Sequence, residues 1–218
     1  MGNGTGGLLA NVTRPRGLLK NASTNGLLGD LLLGHTAPSQ QHIASSILAG
    51  PSRPKVFVSY HHRGDRSFYD LFRAKFYNNY DMIYDNSVER EIDSDDPKYV
   101  MGRIRENHIR GSSCTVVLAG AHTWGRKYVD WEISATLDQK HGLIAVRLPT
   151  APINHQGDVV WPARLWDNIW SNYAPVVEWG ELFRHPEQLR HRIQDANGRE
   201  KRLIYNLRTR RERNEGGP

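Results

Sequence analysis

Residues 116–133 read VVLAGAHTWGRKYVDWEI: an apolar, β-branched run, a polar loop, then a helix-forming segment with an aromatic four positions ahead of a carboxylate. Residues four apart share one face of a helix, so Tyr128 and Glu132 are expected side by side. The strand before them ends where an open parallel sheet borders a crevice, with Thr123 and Trp124 in the connecting loop. An aromatic beside a carboxylate in such a place suits chemistry on a flat, charged ligand.

Outward from this stretch the chain alternates. KVFVSY (55–60) is a strand, and DRSFYDLFRAKFY (65–77) repeats its apolar residues at helical spacing. MIYD (82–85) predicts a second short strand. Asp96-Pro97 opens a helix with Pro at its first position, running to Gly111 with Tyr99, Ile104 and Ile109 on one face. CTVVLAG (114–120), GRKYVDWEISATLDQK (125–140) and GLIAVRL (142–148) follow as strand, helix and strand. A Pro- and Trp-rich loop after Pro149 leads through WPARLWDNIW to a fifth strand within APVVEW (174–179), and 186–196 read as a final helix. Strands that are apolar throughout, alternating with helices, predict an α/β fold: a flavodoxin-like parallel five-stranded sheet with helices on both faces.

The formal charge of +6 over 218 residues resembles a nucleic-acid signal until it is divided along the chain. Residues 1–53 carry four basic and one acidic side chain, 54–180 fifteen and sixteen, and 181–218 ten and six. The middle is nearly neutral, so nucleic acid is not the expected partner. Residues 1–53 are rich in Gly, Asn, Ser, Thr and Leu, with Gly-Leu-Leu at Gly7, Gly17 and Gly26 and leucines again at Leu31–Leu33. They read as a flexible extension or docking strap for an unknown protein partner, with one helical turn at Ile43–Leu48. The expected division is therefore 1–53 as extension, 54–180 as domain, and 181–218 as terminal helix and basic tail. The tail from Arg199, with Tyr205 among its cations, reads as a solvated segment that frays at its Gly-Gly-Pro end.

One cysteine, Cys114, opens an apolar strand and excludes a disulfide framework, which points to a cytoplasmic setting. No run of about 18 apolar residues occurs, and Gly29-Asp30 break the longest leucine patch. The N-terminus lacks the charged and apolar pattern of a secretory signal, and Gly6 stands where a myristoylation motif wants Ser or Thr. In the cytoplasm the sequons at Asn3, Asn11 and Asn21 would go unused.

VFVSYHHRGD (56–65) resembles the first box of TIR domains, in which a strand ending in Ser-Tyr leads into a loop with an acidic residue. TVVLAGAHTWGRKYVDWEI (115–133) resembles the third strand and following helix of the TIR-like proteins of bacterial Thoeris anti-phage systems, and WPARLWDNIWSNYAPVVEW (161–179) resembles their closing segment. The resemblance spans about 54–180. It implies an enzyme that cleaves the nicotinamide–ribose bond of NAD, as substrate and with no separate cofactor, to give ADP-ribose or a cyclic signalling nucleotide. It also implies self-association, and a loop at Asp85, Asn86 and Ser87 that gates the site. Glu132 takes the place of the family's helix glutamate and Tyr128 that of its usual Trp. Val129 stands where a Cys commonly follows.

The chemistry is consistent with one carboxylate. Nicotinamide leaves as a neutral molecule, so no acid is needed; Glu132 would stabilise an oxocarbenium-like transition state and hold ribose hydroxyls. Stacking of Tyr128 on the cationic ring adds a cation–π attraction of about 0.5–2 kcal/mol. Ser59, Tyr60 and His61, at the end of the first strand, are the further candidates for ribose or phosphate contacts. Asp65 reads as a helix cap. His61, His62 and His122 show no ligand spacing such as HxxxH, so no metal is expected. GxxxxGK[ST] and GxSxG are absent, and the GxGxxG match at Gly2–Gly7 has no strand pattern before it, which disfavours a P-loop NTPase, an α/β-hydrolase and a dinucleotide oxidoreductase. EREIDSDD (89–96) reads as a solvated loop. The alternative function is a TIR-like scaffold that binds a nucleotide or a protein without turning it over.

Overall fold

The computed structural model describes residues 53–83 and 96–215. Five parallel strands form its sheet: β1 (Lys55–Tyr60), β2 (Asp81–Ile83), β3 (Cys114–Ala119), β4 (Gly142–Arg147) and β5 (Val176–Glu178), in the order β2-β1-β3-β4-β5. The register pairs Val58 with Val116 and Val117 with Ala145, so β1, β3 and β4 are hydrogen-bonded on both sides. Strands flanked and covered in this way have no wet face, which is why they are apolar throughout.

Helices cover both faces. On one, Val56, Val58 and Tyr60 pack with Tyr69, Phe72 and Phe76 of α1 (His62–Phe76), and Leu182 of α5 (Trp179–Arg184) and Leu189, Ile193 and Ala196 of α6 (Gln188–Gly198) join the same core. On the other, Val117, Leu143 and Ala145 meet Val129, Ile133 and Leu137 of α3 (Lys127–Asp138) and Leu165 of α4 (Ala163–Trp170). Phe57 packs there with Val100 and Met101 of α2 (Pro97–Arg103), and with Ile104, Ile109, Trp131 and Ala135. Alternation along β1 therefore sends Ser59 toward α3 and Tyr60 toward α1.

Asp96, just ahead of Pro97, caps α2, its side chain accepting from the Lys98 amide. The expected face of this helix needs correction, because Tyr99 is 54 % exposed and the buried positions are Val100, Met101, Ile104 and Ile109. Tyr99 lies in the α-helical part, where residues five apart fall on different faces, whereas Ile104 and Ile109 lie in a π-helical turn, closed by Arg110 N–H donating to Arg105 O at 2.8 Å. Its wider winding brings residues five apart onto one face.

WPARLWDNIW is not all loop: Ala163–Trp170 is a helix that buries Arg164, Leu165 and Asn168. The expected closing helix is α6, and a further short helix, α5, precedes it, with His185-Pro186 between them. The basic tail is likewise not merely solvated. It lies along α3 and α4, with Asn168 Nδ2 donating to Tyr205 O at 2.8 Å and Asn206 Nδ2 to Ser134 O at 3.1 Å. The leucine repeats, Ile43–Leu48, the loop at Asp85–Ser87, most of EREIDSDD and the final Gly-Gly-Pro lie outside the described residues.

Candidate active site

The strand order reverses between β1 and β3, since the chain leaves β1 toward β2 and returns past it to β3. This reversal is where open α/β sheets place their ligands, outside the strands' carboxyl ends. Ser59 and Tyr60 end β1 there, and Gly120–Thr123 follow β3.

Glu132 lies under this edge. It is 2 % exposed, and Ser59 Oγ donates to its Oε2 at 2.5 Å. The helix that carries it runs back beneath the sheet, so Tyr128 stands one turn nearer the strand ends. Tyr128 is half-buried against the cluster of Phe57, Met101 and Ile104, with its ring 6.3 Å from that of Trp131 and at 63° to it. Lys127 Nζ lies 5.6 Å from the Tyr128 centroid and 4.9 Å from that of Trp131. A further turn inward, Thr136 Oγ1 meets Thr115 Oγ1 at 2.7 Å. The Ser59–Glu132 pair thus lies nearer the carboxyl ends of the strands than the Thr115–Thr136 pair.

Across β1, a second polar group ties the two loops together. Thr123 Oγ1 donates to Asp65 Oδ2 at 2.7 Å and accepts from Gly120 N–H at 2.8 Å. Asp65 is therefore not the helix cap; His61 holds that position and Asp65 sits inside the first turn, buried. Burial raises the Asp65 carboxyl above its ordinary pKa, against the lowering effect of the Thr123 hydrogen bond. Gly120 is required by this contact, since a Cβ there would come within 2.0 Å of Asp65 Oδ1.

His61 is 3 % exposed, and neither ring nitrogen has a hydrogen-bond partner. Burial, followed by the charges of Arg126 and His122, lowers its pKa to about 4, so the ring is neutral at physiological pH. Its centroid lies 6.3 Å from that of His122, edge to face.

The structure thus joins Ser59 to Glu132 and places Tyr128 a turn away. Tyr60 stands apart, in the α1-side core, stacked on Tyr69 at 4.3 Å. Thr123 has its hydroxyl committed to Asp65 and Gly120, and Trp124 is half-buried in the short 3-10 turn Thr123–Gly125. Ser87 is outside the described residues. Among the described residues no three His, Cys, Asp or Glu side chains converge as a metal site. Two features escaped the sequence reading. Asp65 continues the buried stripe of Tyr69, Phe72 and Phe76 at helical spacing, a signal that marks it as inward-facing. Arg164, fully buried, donates from Nε to Asp130 Oδ1 at 2.9 Å, and nothing in its local sequence announces that partner.

Residues 57–153 match the family described as Thoeris protein ThsB, TIR-like domain. No curated protein matches the chain. The matched span holds β1, β3, β4 and α3, and with them Ser59, Asp65, Thr123, Tyr128 and Glu132. Over residues 57–153, then, the chain is similar to the TIR-like domain of the Thoeris ThsB family.

Proposed function

We propose that this chain cleaves the nicotinamide–ribose bond of NAD, releasing nicotinamide and ADP-ribose or a cyclic ADP-ribose signal in anti-phage or immune signalling. The observation that carries the reading is the buried Glu132 carboxylate, oriented by the Ser59 hydroxyl one helical turn below Tyr128, inside the ThsB-like span. A carboxylate held out of water exerts a strong field on a developing oxocarbenium ion, and its fixed orientation needs no rearrangement as charge builds. Tyr128 stacks on the departing nicotinamide. Neutral His61, Thr123 and Trp124 shape the ribose and phosphate end. Self-association completes the site, and residues 1–53 dock on a separate protein partner. Among the described residues no helix is long and apolar enough to cross a membrane, in keeping with action in the cytoplasm.

Incubation of the assembled protein with NAD, followed by mass spectrometry of the products, tests the reading directly. Nicotinamide and one adenosine-containing product are expected, and both should disappear in Glu132→Gln.

The second reading, a non-catalytic scaffold, draws on the closure of the site: Glu132 is engaged by Ser59, and Tyr128 is partly covered by core residues. NAD binding without turnover in an assembled form would favour it.

A further inference from the structure

Helix α3 starts without a cap of its own. Arg126 stands at its N-cap position and makes no side-chain capping bond. The acceptor comes instead from the tail: Lys127 N–H donates to Asn214 Oδ1 at 2.8 Å, across 87 positions of sequence. Beside it Glu215 N–H donates to Gly125 O at 2.8 Å. Further along the same helix, Trp131 Nε1 donates to Arg211 O at 2.7 Å, and Arg211 N–H donates to Asp130 Oδ2 at 2.9 Å.

The tail is rooted on buried Arg164, whose guanidinium donates to Asn206 Oδ1 at 2.6 Å and to the carbonyls of Arg208 and Thr209 at 3.0 and 3.3 Å. The fit at the far end is close enough to dictate a residue. A Cβ on Gly125 would lie 2.0 Å from Glu215 O, and Gly125 does not have a positive φ that would otherwise call for glycine. No side chain from Asn206 to Glu215 is fully buried. Polar contacts, not a hydrophobic anchor, hold the segment down.

We propose that residues 206–215 form a positioning strap for α3, with Asn214 capping the helix that presents Tyr128 and Glu132, so that turnover requires the strap to be seated. The proposal rests on the NAD-cleaving reading of the site. Lys127 is the residue next to Tyr128, and Trp131, held by Arg211 O, is the residue next to Glu132 and touches the Tyr128 ring edge to face. The strap therefore grips α3 beside each of the two groups whose placement matters. A misplacement of about 1 Å at a reacting centre can cost about a hundredfold in rate. Asn214 is a positioning residue, since it acts through the helix.

The test compares the full chain with Asn214→Ala and Asn214→Asp, reading amide hydrogen exchange along α3 and nicotinamide release side by side. In Asn214→Ala, exchange at Lys127 should quicken by about fivefold or more, the size expected for a lost cap, and kcat should fall by about tenfold. Asn214→Asp, which still accepts the hydrogen bond and places a negative charge at a helix N-terminus, should restore both. A separate pair isolates the contact at Gly125: Gly125→Ala should lower the melting temperature of the full chain but not of a chain ending at Arg213. Unchanged exchange in Asn214→Ala, or faster exchange with undiminished release, overturns the proposal. If the parent chain itself releases no nicotinamide, the NAD reading falls, and exchange at Lys127 alone decides whether the strap holds α3.

Discussion

Ser59 Oγ donates to Glu132 Oε2 at 2.5 Å, joining β1 to the middle of α3 across 73 positions of sequence. Both side chains are buried, so the hydrogen bond determines which way the carboxylate faces. Ser59→Ala should lower stability by about 1–3 kcal/mol, because a buried acceptor loses one of its partners, and should slow nicotinamide release. Glu132→Gln keeps an acceptor for Ser59 and should fold normally while losing release altogether. Denaturation midpoints and a nicotinamide assay check the pair; release at the parent rate from Glu132→Gln would remove Glu132 from the catalytic role.

Tyr128 separates stacking from hydrogen bonding. Tyr128→Phe should keep most of the activity and Tyr128→Ala should lose about tenfold or more, in line with a cation–π attraction of about 0.5–2 kcal/mol together with lost positioning. Steady-state kinetics with NAD decide it, and equal activity in the Ala variant would show that the ring takes no part.

The Asp65–Thr123 clasp leaves no room at Gly120. Gly120→Ala should destabilise the protein by about 1–3 kcal/mol, the usual cost of overpacking. Thr123→Ser, which keeps the hydroxyl, should be much milder than Thr123→Val. Thermal melts of the three variants check this, and a Gly120→Ala variant as stable as the parent would contradict the close approach to Asp65 Oδ1.

Two buried groups set opposite pH trends. The folded pKa of His61 is lowered to about 4 from 6.5. Its contribution to stability is therefore present above pH 6.5 and is lost as pH falls toward 4, because the unfolded chain takes up the proton first. Asp65 is raised from 3.8, so its contribution is full below that value and is lost as pH rises through the folded pKa. Melting curves from pH 7 to 4 should fall less steeply for His61→Asn than for the parent, and Asp65→Asn should remove the opposing trend. Parallel curves for parent and His61→Asn would show that His61 is not held neutral.

Arg164 is fully buried against Asp130, so its removal leaves a carboxylate without its cation. Arg164→Met should cost about 3–5 kcal/mol, and adding Asp130→Asn should recover part of it. Chemical denaturation of the single and double variants tests the coupling; an additive double variant would mean that the two side chains do not depend on each other.

The sheet was legible because β1, β3 and β4 are buried on both faces and so write themselves as unbroken apolar runs. Tyr128 and Glu132 were legible for a related reason, since a spacing of four residues is local geometry. The partner of Glu132 was not, because the meeting of Ser59 with α3 follows from the pairing of β1 beside β3, which no local pattern encodes. Ala163–Trp170 was obscured by the Pro and Trp around it, although Leu165 and Ile169 keep helical spacing. The course of the tail was hidden most deeply. It is fixed largely by main-chain carbonyls and amides of Tyr205, Arg208, Thr209 and Arg211, and those groups are the same in every sequence.

The parallel register has a kinetic consequence. Val56 pairs with Cys114, and Cys114 in turn with Gly142, so each central pairing must close a long loop before its burial is gained. Ser59 and Glu132 meet only after those closures, when β1 and β3 are adjacent and α3 has docked over them. No local segment therefore carries the oriented carboxylate by itself: it exists only where the long-range register and the docked helix are both in place.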